Sequence, residues 1–412
     1  MGSEQRLATT GHRGLETGSG STVCSQCHVD LIFSAEGDDA DLVAELRQAR
    51  IPVRESDLPA GLISIDSRPG SPMPALAFAR QLLPEAHLVC ADSVNRWAQS
   101  VFDGILSGIP DAQPWRLHLW PHYGAVAPRT VGARRAFGTH VLGRRPGVPN
   151  ESPPDPDGRV QASAGLNRCR WIREALVERL KERRRHLLRT LRDSTDPWGP
   201  DESLVQVVLT SPDRGWLSIA PAPRPLELHP WIWPWPGGSI PVAEDRSAPS
   251  RAFAKLTEAL SRLGRGMGPG DVCVDLGASP GGWSYVALGR GARVTAVDRS
   301  PLREDLMRDP RLEFVRGDAF SFRPGRPVDW LVCDVIAAPE RSAAMLLEWL
   351  ERSETRWFVV TLKLKGEADR AKLDGIRRDL ARWADPLFLL RLNANKGEVT
   401  AFGCRRGMGP TG

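Results

Sequence analysis

The chain has 412 residues, of which 41% are hydrophobic, 25% charged and 7% aromatic, and its formal net charge is +5. This length and composition exclude a short peptide or a disordered protein and predict two or three folded domains. No apolar run approaches the roughly 20 residues of a membrane-spanning helix, and the N-terminus lacks the pattern of a secretory signal, so we expect a cytoplasmic protein. The seven cysteines are too few and too scattered for a disulfide framework.

Positive charge is concentrated in one part of the chain. Residues 129–192 contain 16 lysines and arginines against 6 acidic residues, a net charge of +10, and the remainder is net acidic. Such a stretch is typical of a phosphate-binding surface, although a solvated helix face explains it equally well. Only six of the 55 basic residues are lysines, which suggests that the remaining lysines serve chemistry for which arginine is unsuited.

The first third of the chain predicts a mixed α+β structure. Residues 1–21 are expected to form a disordered leader, and 22–128 an N-terminal α+β domain with helices at 39–50 and 94–106 and strands at 61–66 and 116–120. Cys24 and Cys27 are assigned to the first strand, because no further ligands follow at zinc spacing. We expect no metal site.

The segment 129–236 combines the basic residues with a tryptophan-rich end. It predicts an irregular loop, a helix over 171–192, and a hairpin of strands at 204–209 and 215–220. Trp231, Trp233 and Trp235 follow in a Pro/Trp linker. They are interpreted either as platforms for stacking on bases or as a wedge between two domains, which we favour.

The segment 237–412 changes to alternating helices and short apolar strands. Strands are predicted at 272–277, 292–298, 312–318, 329–335, 356–364, 386–393 and 398–405, with helices at 250–263, 281–290, 343–352 and another ending at residue 380. This succession predicts the α/β class and a Rossmann-like domain with a mostly parallel, doubly wound sheet.

The most informative segment of this domain is DVCVDLGASPGGW at 271–283, an apolar strand that runs into a glycine-rich turn and a helix. Such a turn lets the backbone approach a ligand at the carboxyl edge of a sheet. Asp298 ends the next strand, 21 residues after Gly277, where a carboxylate can accept hydrogen bonds from both hydroxyls of a ribose. The spacing D-x-G-x-x-x-G-G favours S-adenosylmethionine over NAD, and Asp318 is expected to contact the adenine.

Further ionisable residues lie at successive strand edges. Asp334 ends one strand, Lys363 lies in the next and Glu398 begins the last, while Lys255 lies on the helix before the first strand. An ionisable residue at the mouth of an apolar strand is costly to bury without partners. Four of them beside one ligand-binding turn therefore predict a common site rather than isolated surface charges.

These segments resemble the FtsJ-related ribose 2′-O-methyltransferases, and in particular the RlmM-type enzymes, which methylate a cytidine ribose in large-subunit ribosomal RNA. The resemblance rests on APSRAFAKLTEA, VDLGASPGGWSY, VTAVDRSP, VRGDAF, DWLVCDV, TLKLK and EVTAF, and it covers residues 249–405 closely. It extends more loosely upstream, through LAFARQ and the 205–219 hairpin. It implies a ferredoxin-like part (22–128), a THUMP-like RNA-binding region with its linker (129–236) and a methyltransferase domain (237–412).

The resemblance also implies S-adenosylmethionine as the cofactor and ribosomal RNA as the partner. The implied cofactor-binding residues are Asp275, Gly277, Ser279, Pro280, Gly281, Gly282, Asp298, Asp318 and Asp334. Lys255, Asp334, Lys363 and Glu398 match the family's Lys-Asp-Lys-Glu catalytic group, with Lys363 as proton acceptor. Two positions depart from the family: Ser279 stands where cysteine is frequent, and Ala252 where a serine contacts the cofactor.

The chemistry agrees with these roles. A ribose hydroxyl is a weak nucleophile, so a base must take its proton as the oxygen attacks a methyl group. We expect Lys255 and partial burial to lower the pKa of Lys363 for this purpose. Lys365, on the same strand face, is a rival base, although the spacing from Asp334 favours Lys363.

Two other functions remain open at this point. A non-catalytic, RNA-binding ribosome-assembly factor could retain the same fold, although the complete set of lysines and acids counts against it. An NAD-dependent oxidoreductase is a third possibility, and the glycine spacing counts against that.

Overall fold

The computed structural model describes residues 29–35, 37–54, 57–66, 74–123, 158–193, 198–199, 201–222 and 231–408. The predicted leader and the pair Cys24 and Cys27 lie outside these ranges. Within them, the chain forms two seven-stranded sheets, one in each half. None of the helices in these ranges is long and apolar enough to cross a membrane.

The first half of the chain forms a mainly antiparallel sheet with helices. Its elements are β1 (Val29–Ser34), α1 (Asp39–Gln48), β2 (Val53–Arg54), β3 (Leu62–Ile65), β4 (Ala79–Cys90), α2 (Val94–Gly108), β5 (Trp115–Pro121), α3 (Gly158–Arg183), α4 (Arg185–Thr190), β6 (Ser203–Leu209) and β7 (Arg214–Ala220). The strand order is β2-β3-β1-β4-β7-β6-β5. All neighbours are antiparallel except β5 and β6, which are parallel.

Strand β4 pairs with strands from both of the parts predicted from the sequence, residues 22–128 and 129–236. Its first part pairs with β1, and residues 87–90 pair with β7. Pro84 and Glu85 lie at a register shift of the β1 ladder, between Leu83 and Ala86. Glu85 has a φ of +48°, and its N–H donates to Asp30 Oδ1 at 2.7 Å. A proline interrupts the ladder and an extra residue bulges the strand. Sequence analysis missed β4, and the division into ferredoxin-like and THUMP-like parts stays a prediction.

The basic helix is broken at one residue. Instead of the continuous helix predicted over 171–192, α3 and α4 are separated by Arg184, whose φ of −149° and ψ of 53° are not helical. The break allows the Leu187 carbonyl to accept a hydrogen bond from the buried Trp115 indole at 2.8 Å. Ile172, Leu176 and Leu187 are buried on the inner face, which leaves the basic side chains on the outside.

The tryptophan-rich linker is packed between the two halves. Trp231 and Trp233 are only 2% and 7% exposed. The Gln81 side chain of β4 accepts from Trp233 N–H at 3.1 Å, and Arg262 of the second half lies 4.8 Å above the Trp233 ring. These contacts agree with the wedge interpretation, because two of the three tryptophans are unavailable for stacking on a base.

The second half forms the predicted α/β domain. Its elements are α5 (Phe253–Leu263), β8 (Val272–Leu276), α6 (Gly282–Gly289), β9 (Arg293–Asp298), α7 (Glu304–Met307), β10 (Leu312–Arg316), β11 (Val328–Cys333), α8 (Pro339–Glu351), β12 (Thr355–Lys363), α9 (Glu367–Arg370), α10 (Leu373–Ala381), β13 (Ala384–Leu390) and β14 (Glu398–Arg405). The order is β10-β9-β8-β11-β12-β14-β13. The first five strands are parallel, and β14 runs antiparallel to both neighbours.

This strand order creates a crevice between β8 and β11. The chain proceeds from β8 to β9 and β10 on one side, then returns to β11 on the other. In open α/β sheets, ligands bind at such a reversal, outside the carboxyl ends of the strands. The glycine-rich turn follows β8 and Asp334 follows β11, so both predicted parts of the site lie at this position.

Candidate active site

Four charged side chains from different elements form a closed ring of ion pairs. Lys363 Nζ lies 2.7 Å from Asp334 Oδ1 and 2.6 Å from Glu398 Oε2. Lys255 Nζ lies 2.9 Å from Asp334 Oδ2 and 2.5 Å from Glu398 Oε1. Each lysine therefore contacts both acids, and the four side chains are between 8% and 17% exposed. The structure brings together all four residues that the sequence selected.

The strand register explains why two of the four ring residues, Lys363 and Glu398, are neighbours. Lys363 and Glu398 are directly opposed in the β12–β14 ladder, and opposite charges at such positions attract each other. Asp334 follows β11, which is paired in parallel with β12. The Glu398 carbonyl accepts a hydrogen bond from Asn395 Nδ2 at 2.9 Å. The side chains thus start from backbone positions that the sheet fixes.

The pKa of Lys363 is raised above its usual value, which corrects the expectation from the sequence. Burial is the largest single effect and lowers the pKa, but the charge of Asp334 and the hydrogen bonds to Asp334 and Glu398 together outweigh it. We expected Lys255 to lower the pKa of Lys363. The opposite shift results because two carboxylates contact the Lys363 ammonium group. Lys363 is therefore protonated at neutral pH in the free protein.

The rival base lies outside the ring. Lys365 is exposed beyond the end of β12, and its backbone N–H donates to Asp369 Oδ2 at 2.9 Å. Its side chain makes no ion pair with either ring acid in the described part of the chain. The geometry favours Lys363 over Lys365.

The turn after β8 offers backbone rather than side chains to a ligand. Gly277 and Gly281 have φ angles of +74° and +111°, a region that favours glycine. A Cβ at Gly277 would overlap Val335, the residue after Asp334. Beneath the turn, burial raises the pKa of Asp275 to about 7, and its Oδ2 accepts a hydrogen bond from Ser284 Oγ at 2.7 Å. Asp275 thus supports the turn from below.

The carboxylate of Asp298 is held at the edge of this turn. Its Oδ2 accepts the Ser279 N–H at 3.0 Å and its Oδ1 accepts the Ser300 N–H at 2.8 Å. A carboxylate oxygen can accept more than one hydrogen bond. Asp298 therefore retains the capacity to bind two hydroxyl groups, as a ribose requires, and the residues fit an adenosine-containing cofactor.

Asp318 is already engaged in the structure. Its Oδ1 accepts the Phe320 N–H at 2.8 Å, and its Oδ2 pairs with Arg299. These two hydrogen bonds lower the pKa of Asp318. Arg299, which is 79% exposed, was not singled out in the sequence, because the pairing joins residues from two different loops. An adenine at Asp318 would share the carboxylate with Arg299.

A hydroxyl group lies beside the turn although residue 252 is alanine. The Ala252 carbonyl accepts a hydrogen bond from Trp283 Nε1 at 2.8 Å. Ser250 Oγ lies against Gly282, so closely that a Cβ at Gly282 would overlap it. Sequence reasoning missed Ser250, although it stands within the SRAFAK segment, five residues before Lys255.

Part of the chain matches known proteins. Residues 248–354 match the family model described as FtsJ-like methyltransferase. A protein of Thauera aminoaromatica named Ribosomal RNA large subunit methyltransferase M is 37% identical over 210 residues, which are 48% of this chain and 56% of that protein. A protein of the same name from Halorhodospira halophila is 40% identical over 177 residues, 41% of this chain and 51% of that protein.

A third protein of this name, from Azoarcus sp., is 38% identical over 214 residues, 49% of this chain and 57% of that protein. The chain thus spans about half the length of the curated relatives it matches. The matches confirm the resemblance that the sequence motifs indicated. The second half of the chain has the FtsJ-like class I methyltransferase fold, and the chain is similar over part of its length to proteins named ribosomal RNA large subunit methyltransferase M.

Proposed function

We propose that this protein transfers a methyl group from S-adenosylmethionine to the 2′-hydroxyl of a cytidine in large-subunit ribosomal RNA, in the cytoplasm. The observation that carries the proposal is the closed ring of Lys255, Asp334, Lys363 and Glu398 at the carboxyl edge of an FtsJ-like domain. Two lysines and two acids in mutual contact supply both a proton acceptor and the charges that hold it. The relatives' printed names support ribosomal RNA as the substrate.

The glycine-rich turn and the residues around it would hold the cofactor. Gly277, Ser279, Pro280, Gly281 and Gly282 would contact it through the turn. Asp298 would accept the ribose hydroxyls, Asp318 would lie at the adenine and Asp334 near the methyl donor, while Asp275 would support the turn. S-adenosylmethionine would supply an electrophilic methyl group.

Lys363 would accept the proton of the attacking hydroxyl. A base placed within hydrogen-bond reach of a hydroxyl accelerates such a transfer by about 10²–10⁴-fold. Asp334 and Glu398 hold its Nζ at 2.7 and 2.6 Å, which fixes the direction of its third proton or lone pair. Lys255 balances the two acids, because it contacts both of them. Arginine could not replace Lys363, since a guanidinium stays protonated.

The rate of the chemical step should rise with pH. The acids around Lys363 raise its pKa, so the neutral, proton-accepting form is scarce at pH 7 and increases tenfold with each pH unit below the pKa. We expect the logarithm of the single-turnover rate to increase with a slope near one between pH 7 and 9. Quench-flow with labelled S-adenosylmethionine would measure it. A rate that is constant over this range would contradict a protonated resting Lys363.

An exposed basic surface on the first half is the candidate contact for RNA. Arg183, Arg184, Arg185 and Arg189 lie at the junction of α3 and α4, are exposed, and make no ion pair with any residue that the structure describes. With Lys181, Arg185 and Arg189 line one surface pocket. Unpaired arginines bind phosphate without giving up an acidic partner. Much of the basic loop predicted before α3 lies outside the described residues.

Removing this charge should weaken RNA binding and its dependence on salt. The triple change of Arg183, Arg185 and Arg189 to glutamine would leave up to three RNA phosphates without a cationic partner. The slope of log K against log salt should then become shallower by about 0.7 for each of these phosphates. Filter binding of protein-free large-subunit RNA at several salt concentrations would measure it. Arg308→Gln is the control, because Arg308 already pairs with Glu304; an equal change in both proteins would contradict this surface.

Methyl transfer to protein-free large-subunit RNA from a strain that lacks the gene would test the proposed function. Label from S-adenosylmethionine should appear at one 2′-O-methylated cytidine, found by nuclease mapping. Label on a base, or at many positions, would contradict the proposal. Binding of RNA and cofactor without any transfer, to free RNA or to isolated ribosomal particles, would favour the non-catalytic assembly factor.

A further inference from the structure

The first half of the chain is attached to the methyltransferase domain by an acidic helix face. Asp38, Asp41 and Glu45 lie at the start of α1 and along one side of it, at a spacing of three and four residues. They pair with Arg391, Arg370 and Arg377 of the second half at 2.7, 2.9 and 3.5 Å, respectively. Residues three and four apart share a helix face. One face of α1 therefore meets three arginines that lie more than 300 positions away in the sequence.

One of these arginines also contacts the catalytic ring. Arg391 follows β13. Its guanidinium forms an ion pair with Asp38, with Nε 2.7 Å from Oδ2, and donates a hydrogen bond from Nη1 to the Glu398 carbonyl at 3.4 Å. Its backbone N–H donates to the Ala77 carbonyl at 2.8 Å. Arg391 and Asp38 are 14% and 10% exposed at their side chains. Arg391 thus joins the first half of the chain to the residue that carries a ring carboxylate.

The partners of Arg391 are themselves held in place. The Glu45 carboxylate accepts the N–H groups of Ala77 and Phe78 at 2.8 and 3.0 Å, which orients the Ala77 peptide towards Arg391. From the catalytic side, Glu258 Oε2 accepts the Asn393 N–H at 2.7 Å. The segment between β13 and β14, which ends just before Glu398, is therefore hydrogen-bonded to residues of both halves of the molecule.

We propose that Arg391 is a positioning residue for Glu398, through which the docked first half sets the geometry of the catalytic ring. This inference rests on the proposed function. Asp38 holds the guanidinium, and the guanidinium holds the carbonyl at the start of β14. Asp38 and Arg391 are largely buried as an ion pair, and removal of either partner would leave an uncompensated charge. Loss of the Asp38–Arg391 pair would leave the Glu398 carbonyl with Asn395 as its remaining side-chain donor among the described residues. The β12 ladder would still hold the strand, but the Glu398 carboxylate could move away from the two lysines.

The test compares variants that break neighbouring ion pairs of the same α1 face. Arg391→Gln and Asp38→Asn should each lower the single-turnover rate about tenfold, since displacement of a catalytic group by a fraction of an ångström has effects of this order. The affinities for S-adenosylmethionine and RNA should stay unchanged. Arg377→Gln is the matched control, because it breaks the pair with Glu45 at similar burial but contacts neither Arg391 nor Glu398; its rate should remain within about twofold of the unchanged protein.

A second readout does not depend on activity. The chain has only six lysines, so ¹³Cε-labelled lysine gives a spectrum simple enough to follow Lys363 through a pH titration. The charged groups that face Lys363 are Asp334, Glu398 and Lys255. Because Glu398 helps to raise the pKa of Lys363, its displacement should make Lys363 titrate at lower pH in Asp38→Asn and Arg391→Gln. Arg377→Gln should leave the titration unchanged.

Two results would overturn the inference. One is an equal loss of rate in all three variants, which would mean that α1 merely stabilises the folded protein. The other is an unchanged Lys363 titration in both Asp38→Asn and Arg391→Gln. Asp38→Asn preserves the size of the side chain and keeps the test valid if Arg391→Gln does not fold. If the unchanged protein transfers no methyl group, the proposed function fails, while the titration still decides whether Arg391 positions Glu398.

Discussion

Replacement of Lys363 by alanine should lower the single-turnover rate of methyl transfer by about 10³-fold, the range expected for loss of a general base. Lys363 contacts both ring acids from the end of β12. Lys255 reaches the same acids from α5, a different element, so its amine does not take the position of the Lys363 amine. Cofactor affinity should be retained, since the glycine-rich turn is unchanged. Single-turnover assays with labelled S-adenosylmethionine, together with calorimetric titration of the cofactor, would separate the two effects.

Lys365→Ala is the matched control for this experiment. It removes the same kind of side chain two residues away, but Lys365 is exposed and lies outside the ring. Its rate should stay close to that of the unchanged protein. A large loss in Lys365→Ala with little loss in Lys363→Ala would assign the base to Lys365 and contradict the role argued from the ring geometry.

Replacement of Asp298 by alanine should weaken binding of S-adenosylmethionine about 100-fold, which corresponds to about 2.7 kcal/mol. Hydrogen bonds to a charged group contribute about 1.5–3 kcal/mol each, and this carboxylate would accept two from the ribose. It also holds the Ser279 N–H of the turn at 3.0 Å, so the variant loses part of the turn's support. Isothermal titration calorimetry would measure the dissociation constant.

Asp309→Ala is the control for the cofactor experiment. Asp309, like Asp298, accepts a backbone N–H two residues further on, at 2.9 and 2.8 Å, respectively, but it follows α7 and pairs with Arg311. The affinity of the Asp309→Ala protein for S-adenosylmethionine should be unchanged. Equal weakening in the two variants, or an Asp298→Ala protein that binds normally, would contradict the assigned role of Asp298.

The sequence predicted most of the methyltransferase domain because its signals are local. Each strand of the second sheet is a short apolar run bounded by a turn, and the segment around Gly277 and Gly281 carries the glycines that its backbone angles require. The four ring residues could be selected because each is an ionisable residue at a strand edge. Their mutual contacts follow from the strand order, which brings the ends of β11 and β12 and the start of β14 together.

The features that the sequence did not predict depend on distances between remote residues. The direction of the Lys363 pKa shift is a balance between burial and two carboxylates, and neither is visible before the ring is assembled. The pairing of α1 with Arg370, Arg377 and Arg391 joins opposite ends of the chain. Strand β4 was missed because Pro84 interrupts its pattern, and a proline within an apolar run normally argues against a strand.

Strand β4 has a further consequence for how insertions and deletions affect the first half. Side chains of a strand alternate between the two faces of the sheet, so removal of one residue inverts every position beyond it. Strand β4 pairs with β1 from residue 79 to 86 and with β7 from residue 87 to 90. The bulge at Pro84 and Glu85 falls just before this change of partner, so it sets the phase between residues 79–83 and the β7 ladder. A one-residue deletion there would turn the inner face of one ladder outward relative to the other. Homologous chains should therefore vary in length at hairpin tips and keep the number of residues in β4 constant.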